Sequence, residues 1–216
     1  VLRQSSRLTR PKRKSKDVKT TNFLAISRAK VDANYRSVAL GKLKELSVEA
    51  QKCGATSVRI GTVQTGANAG NVLAMQFFDK MSDIENVYDM LAESSIYQEL
   101  IGSGDFEING RALLQMHHRE NRSEESKYMM LTKFEGATIA DDEAKSVLDV
   151  FMDNGGVACG YATYMLGSFV GQRLMGVRYP SMEAVQQAYA AVSASTDYQS
   201  TLSKAKLHFR NLIRLA

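Results

Sequence analysis

The sequence predicts an α+β protein made of two βαββαβ repeats, and three observations lead there. The chain states one pattern twice: Gly66-Ala67-Asn68-Ala69-Gly70 returns as Gly167-Ser168-Phe169-Val170-Gly171, and Ser94-Ser95-Ile96-Tyr97-Gln98 returns as Ser195-Thr196-Asp197-Tyr198-Gln199, both 101 residues later. Between those anchors Leu73, Phe78, Met81, Ile84 and Tyr88 meet Leu174, Tyr179, Met182, Val185 and Tyr189 without a gap. Second, 216 residues of which 44% are hydrophobic suffice for one large or two small domains, and a period of about 100 residues selects two similar halves. Third, both halves run through strand-like and helix-like apolar spacing in the same order.

Phe23 to Ser27 is predicted as the first strand. Ala39, Leu43, Leu46, Ala50 and Cys53 then fall on one helical stripe that Gly54 closes. Val58–Gln64 and Val72–Phe78 are strands joined across the Gly66–Gly70 turn, where glycine accepts positive φ. Ser82-Asp83-Ile84-Glu85 predicts a capping box for a second helix carrying Ile84, Val87, Tyr88 and Leu91 on one face. Arg111–Met116 is the last strand of the half.

The second half follows suit. Tyr128–Thr132 is a strand, Thr138-Ile139-Ala140-Asp141 caps a helix striped by Ala144, Val147, Leu148 and Phe151, and Asn154-Gly155-Gly156 ends it. Cys159–Leu166 and Leu174–Tyr179 flank the second glycine turn. Met182, Val185, Ala188, Tyr189 and Val192 stripe the next helix, and Arg210–Ile213 closes the copy. The expected organisation is a tail over residues 1–20, a first repeat over 21–118, a linker over 119–127 and a second repeat over 128–216.

Charge is divided unevenly along the chain. Residues 1–20 hold Arg3, Arg7, Arg10, Lys12, Arg13, Lys14, Lys16 and Lys19 against Asp17 alone, or +7, whereas the other 196 residues carry 20 bases and 22 acids. Such a tail buries too little apolar surface to order itself and has the composition of a polyanion-binding arm, so nucleic acid or an acidic protein is the partner it suggests. An organellar transit segment has a similar composition. Two cysteines cannot build a disulfide framework and predict a reducing, intracellular compartment. No apolar run is long enough to span a bilayer. No CxxC or Cys/His cluster is spaced for a metal, and no cofactor motif is present.

The β-α-β-β-α-β order of each half is ferredoxin-like. Two such halves, each with a glycine-flanked hairpin and a Ser-x-x-Tyr-Gln or Ser-Thr-x-Tyr-Gln stretch ending its second helix, resemble a fused pair of dimeric α/β-barrel domains over residues 22–216. The resemblance implies an intramolecular barrel in which two four-stranded sheets pack face to face, each covering the apolar face the other would expose. It implies no single activity, because that superfamily holds haem-degrading and quinol-forming monooxygenases, haem-containing peroxidase-like enzymes, small isomerases and members of unknown activity.

Haem-degrading members tend to use an Asn, Trp and His constellation, and this chain has no tryptophan. A cofactor-independent oxygenase would need an apolar pocket and one or two groups to stabilise an anionic substrate, and Tyr161, Tyr164, Arg178 and His208 are the candidates. His117 and His118, adjacent on a strand, are expected to point to opposite faces and so not to share a metal. Cys53 at a helix C-terminus and Cys159 in an apolar strand are poor nucleophiles. The expected function is a barrel that binds a small apolar or aromatic molecule, with monooxygenase-like activity. The alternative is a silent structural or assembly module anchored by its basic tail.

Overall fold

The computed structural model describes residues 21–136 and 140–216. The basic tail lies outside the described residues, as do Thr138 and Ile139 of the expected cap. The first unit runs β1 (Phe23–Val31), α1 (Arg36–Lys52), β2 (Ser57–Val63), β3 (Val72–Phe78), α2 (Met81–Glu93), α3 (Ser95–Gly102) and β4 (Phe106–Asn121). The second runs β5 (Tyr128–Gly136), α4 (Asp141–Asp153), β6 (Ala158–Leu166), β7 (Arg173–Tyr179), α5 (Met182–Ser193), α6 (Thr196–Lys204) and β8 (Ala205–Leu215). The strands bond in the order β1-β3-β2-β8-β5-β7-β6-β4 and close into a barrel. Each unit supplies the same arrangement, β4-β1-β3-β2 or β8-β5-β7-β6, so the tandem ferredoxin-like architecture holds and closure pairs the edge strands of both sheets.

Three apolar cores follow from the alternation of strand side chains. Leu24, Leu73, Met75, Leu114, Met129, Leu131, Leu174 and Ile213 point inward and pack together in the lumen. Val58, Val72, Phe78, Val87 and Leu100 form the layer between the first sheet and its helices, and Phe151, Tyr161, Met175, Tyr179 and Tyr198 form that of the second. Either sheet alone would expose its lumen face, which is the physical reason for two copies.

The two seams between units are unequal. At one, β4 pairs with β6 over eight residue pairs, from Leu113↔Leu166 to Asn121↔Ala158. At the other, β2 meets β8 over three, Gly61↔Leu215, Thr62↔Arg214 and Val63↔Ile213. Gly61 is required there, because a Cβ would stand 2.5 Å from the Ile213 side chain and 2.7 Å from the Arg214 carbonyl.

The structure corrects the sequence reading in four places. The Ser-x-x-Tyr motifs do not end the second helix of each half but start a further one: Ser94 and Ser195 take extended backbone, break the helix, and accept from Tyr97 N (3.5 Å) and Tyr198 N (3.4 Å). The tyrosine hydroxyls then accept from Arg111 and Arg210, whose guanidiniums also lie over Tyr88 (6.0 Å) and Tyr189 (4.8 Å). The repeated motif is therefore a clamp between helices and sheet. Ser82 makes no capping box, because α2 already begins at Met81 after Lys80; at the equivalent position of the second unit Ser181 does cap α5, accepting from Ala184 N at 3.2 Å. β4 continues through Asn121, so Arg119 and Glu120 lie in a strand. The final strand of each half is also longer than its apolar stripe suggested.

Candidate functional site

The barrel has two ends, which differ in chemistry. At the linker end, residues 122–127 cross from β4 to β5, and a cavity of about 60 Å3 lies among Leu24, Met75, Phe77, Met129, Arg59, Arg119 and Arg178. The arginines are engaged. Arg178 is buried and donates to Ser126 Oγ (3.0 Å), Asn121 Oδ1 (2.7 Å) and Ser123 O (3.4 Å), with Glu124 at 3.6 Å. Arg59 also pairs with Glu124. Arg119 donates to Thr21 Oγ1 (2.7 Å) and Ser57 Oγ (2.9 Å) across the face of Phe77. Burial, and then the neighbouring Arg59, lower the Arg178 pKa to about 10, so it stays charged at neutral pH and braces the linker over the barrel end.

At the hairpin end the two glycine turns flank a larger cavity of about 150 Å3. Leu73, Leu131, Leu174 and Ile213 form its floor, Tyr164, Phe169 and Phe209 one wall, and Val63, Asn68, Asn109 and Gly110 the other. Gly66, Gly70, Gly167 and Gly171 have the positive φ their turns demand. Among the described residues no Asp or Glu lines this cavity; Arg28 and Arg111 line it, and Lys133 stands behind its aromatic wall. Arg28 lines it directly and donates from Nε to Asn109 Oδ1 (2.8 Å) and from Nη2 to Asn109 O (3.3 Å). Lys133 is fully buried; its Nζ lies against Phe169, 2.9 Å from the ring centroid and 5.3 Å from that of Phe209, with no hydrogen-bond acceptor among the described residues. Burial lowers the Lys133 pKa to about 8, with Glu135 opposing.

The four expected pocket residues do not converge. Tyr164 is in the hairpin-end cavity, where burial pushes its hydroxyl up to about 12 and Arg28 pulls it back only partly, so it is a hydrogen-bond donor at neutral pH. Arg178 is at the opposite end. Tyr161 is behind the barrel wall in the outer core of the second unit. His208 is exposed in mid-strand, 3.3 Å from Glu135 and 6.0 Å from the Phe169 ring. Sequence reading missed Lys133 and Phe169. Their signal was available: a lysine amid the apolar run Tyr128–Phe134, and a phenylalanine where the first hairpin has Asn68.

The histidine pair also differs from expectation. The β4–β6 register slips between Met116 and His118, leaving His117 as a bulge, so that His118 faces Tyr161 and Glu120 faces Cys159. His117 meets Thr163 Oγ1 (2.6 Å) and the Tyr161 ring (5.8 Å), so both histidines neighbour Tyr161. Burial first, and then Glu120, push the Cys159 thiol up to about 12, which makes the free thiol a poor nucleophile.

A haem does not fit these residues. A ligand of that size needs several hundred Å3 and an axial donor; the barrel cavities are several times smaller, and among the described residues no histidine lines them. The larger hollows, of about 650 and 690 Å3, are open surface grooves without histidine.

Solved structures share the fold of this chain over nearly its whole length. A monooxygenase-like protein from Lactobacillus acidophilus NCFM shares 13% identity over 91% of this chain and 94% of its own, with a TM-score of 0.59. An anthrone oxidase-like protein shares 12% over 92% of each, at 0.54, and a heme-binding protein from Thermus thermophilus shares 8% over 90% and 91%, at 0.57. No curated protein matches the chain. These likenesses establish the fold, and none of them supports a nucleic-acid or acidic-protein partner. No helix among the described residues is long and apolar enough to cross a membrane. One family model matches residues 21–116 and again 126–215, the two halves just described, and the chain therefore belongs to the family described as Domain of unknown function (DUF6854).

Proposed function

We propose that the protein binds a small aromatic or apolar molecule carrying one negative charge at the hairpin end of the barrel and oxidises it in a monooxygenase-like reaction. The observation that carries this reading is Lys133, a buried ammonium without an acceptor among the described residues, beside a cavity that no carboxylate lines. A buried cation is stable only when paired, and an anionic ligand would supply the missing partner, with Arg28 as second cation. The volume of about 150 Å3 suits a single ring. Phe169 and Phe209 offer faces for stacking, and the Tyr164 hydroxyl can donate to the anion.

Lys133 and Arg28 beside a mostly apolar cavity favour the deprotonated form of a weakly acidic C–H or O–H group, which makes the ring electron-rich. Dioxygen can then oxidise it, a CH2 becoming C=O with one oxygen atom while the other leaves as water. The substrate itself supplies the electrons. The monooxygenase-like and anthrone oxidase-like neighbours support this choice among reactions.

The test is a titration of single-ring carboxylates and phenolates by ligand-observed NMR, with oxygen uptake measured on those that bind. Saturable binding that weakens at least tenfold in Lys133→Met and in Arg28→Met supports the site, and substrate-dependent oxygen uptake supports the reaction. Binding indifferent to both substitutions would refute the site. Binding without oxygen uptake would leave a barrel that carries its ligand unchanged.

A further inference from the structure

On the outer face of the β4–β6 seam, apart from the hairpin-end cavity, His118, Glu120 and Cys159 each bring one ligand atom to within 4.8 Å of the others. We propose that these three side chains bind a single transition-metal dication of the zinc type through one imidazole nitrogen, one carboxylate oxygen and one thiolate.

Strand geometry assembles the set. His118 and Glu120 are alternate residues of β4 and so share a face, and Cys159 is the direct cross-strand partner of Glu120 on β6. The bulge at His117 puts His118 on that face, since without the extra residue it would face the other way. His118 Nε2 is buried and has no hydrogen-bond partner among the described residues, an unfavourable state that a metal would relieve. Cys159 is 5% exposed, so the site is sheltered from competing water on that side.

Glu120 accepts from Arg122 Nε at 2.6 Å, yet it can turn toward a metal without stranding the arginine, which also donates to Met152 O (2.8 Å) and Asp153 Oδ1 (3.0 Å). Metal–ligand bonds of about 2.0–2.3 Å put tetrahedral ligand atoms roughly 3.3–3.7 Å apart, so the set must close by about 1 Å. Small rotations of the three side chains about their χ angles supply that closure. Mixed N, O and S donors select zinc or cobalt over calcium and magnesium, and three protein ligands leave the fourth position for water. On binding, the Cys159 S–H bond breaks, its proton passes to solvent and a metal–sulfur bond forms. Among the described residues the twin seam has no such set, because Val58 occupies the position equivalent to Cys159, so one metal is expected, at the β4–β6 seam.

The experiment is titration of the chelator-treated full chain with Co2+. One equivalent should bind, with a near-ultraviolet thiolate-to-cobalt charge-transfer band that added Zn2+ abolishes. Cys159→Ser should lose the band, His118→Ala and Glu120→Gln should each weaken binding at least tenfold, and His117→Ala and Cys53→Ser should leave it unchanged. Absence of the band in the wild type, its persistence in Cys159→Ser, or unaltered affinity in both His118→Ala and Glu120→Gln would overturn the proposal. Should Cys159→Ser not fold, X-ray absorption at the zinc edge of the wild type decides: one sulfur among N/O neighbours supports the site, and a shell without sulfur refutes it.

Discussion

At the hairpin end of the barrel the two units place equivalent positions side by side with unequal side chains. The second unit contributes Tyr164, Phe169 and Phe209; the first contributes Val63, Asn68 and Gly110 at the same places, and Arg28 stands opposite Lys133. Two large walls would fill the end and two small ones would leave it open to water. One of each leaves a cavity of about 150 Å3 with an aromatic side and a polar side. At the linker end the inequality runs the other way, with Arg178 in the second unit where the first has Phe77. The repeat thus builds the frame, and departures from the repeat build the chemistry.

Breaking the charged half of that comparison should have the largest effect. Arg178→Ala removes a buried guanidinium with several partners and should cost about 2–4 kcal/mol, because Asn121 and the Ser123 carbonyl lose a charged donor. Urea unfolding measures it, and ligand binding at the far end should survive under native conditions. An unchanged midpoint would show that the linker needs no brace.

Next comes the seam. Gly61→Ala forces a methyl against Ile213 and the Arg214 backbone and should cost about 1–3 kcal/mol, whereas Ala162→Gly at the twin position should cost about 1 kcal/mol or less. Comparing the two unfolding curves tests whether the short seam is as tightly fitted as the structure shows.

Phe169→Asn copies the first hairpin onto the second and makes the two turns alike. It should weaken binding of a single-ring anion about tenfold through lost stacking, while changing stability by about 1 kcal/mol or less, since Phe169 is only half-buried. Equal affinity would mean that the aromatic wall does not contact the ligand.

The smallest effect is a pH dependence. With the Lys133 pKa lowered to about 8, against 10.5 in the unfolded chain, the unfolded state holds more protons between those values, so this group makes the fold more stable as pH rises from about 8 toward 10.5. Lys133→Met should lack that rise, a difference of about 1 kcal/mol by about pH 9.5. Anion affinity should fall over the same window in the wild type, because the ammonium loses its charge. Parallel stability curves for the two proteins would place Lys133 in water.

Most of the frame was legible because it depends on local periodicity and on a repeat that needs no structure to detect. The 101-residue register, the glycine turns and the alternation of Leu73, Met75 and Phe77 inward with Val72 and Phe78 outward are properties of neighbouring residues. Where reading failed, a local signal had two outcomes that only packing separates. Ser94 could end one helix or begin the next, and Ser82 could cap or lie within the first turn.

The sites were less legible. Tyr161 and Tyr164 lie three residues apart, yet one backs the barrel wall and the other lines its mouth; His208 alternates with Phe209, which leaves the imidazole outside and the phenyl ring inside. By itself the sequence determined two βαββαβ units, their shared core and the division of charge between tail and body. Tertiary structure alone decided that Lys133 on β5 meets Phe169 in the distant β6–β7 turn, and that a bulge sets His118 and Glu120 against Cys159. The reason is that barrel closure and strand register are set by the packing of the whole sheet, and a one-residue slip exchanges every side chain between its two faces.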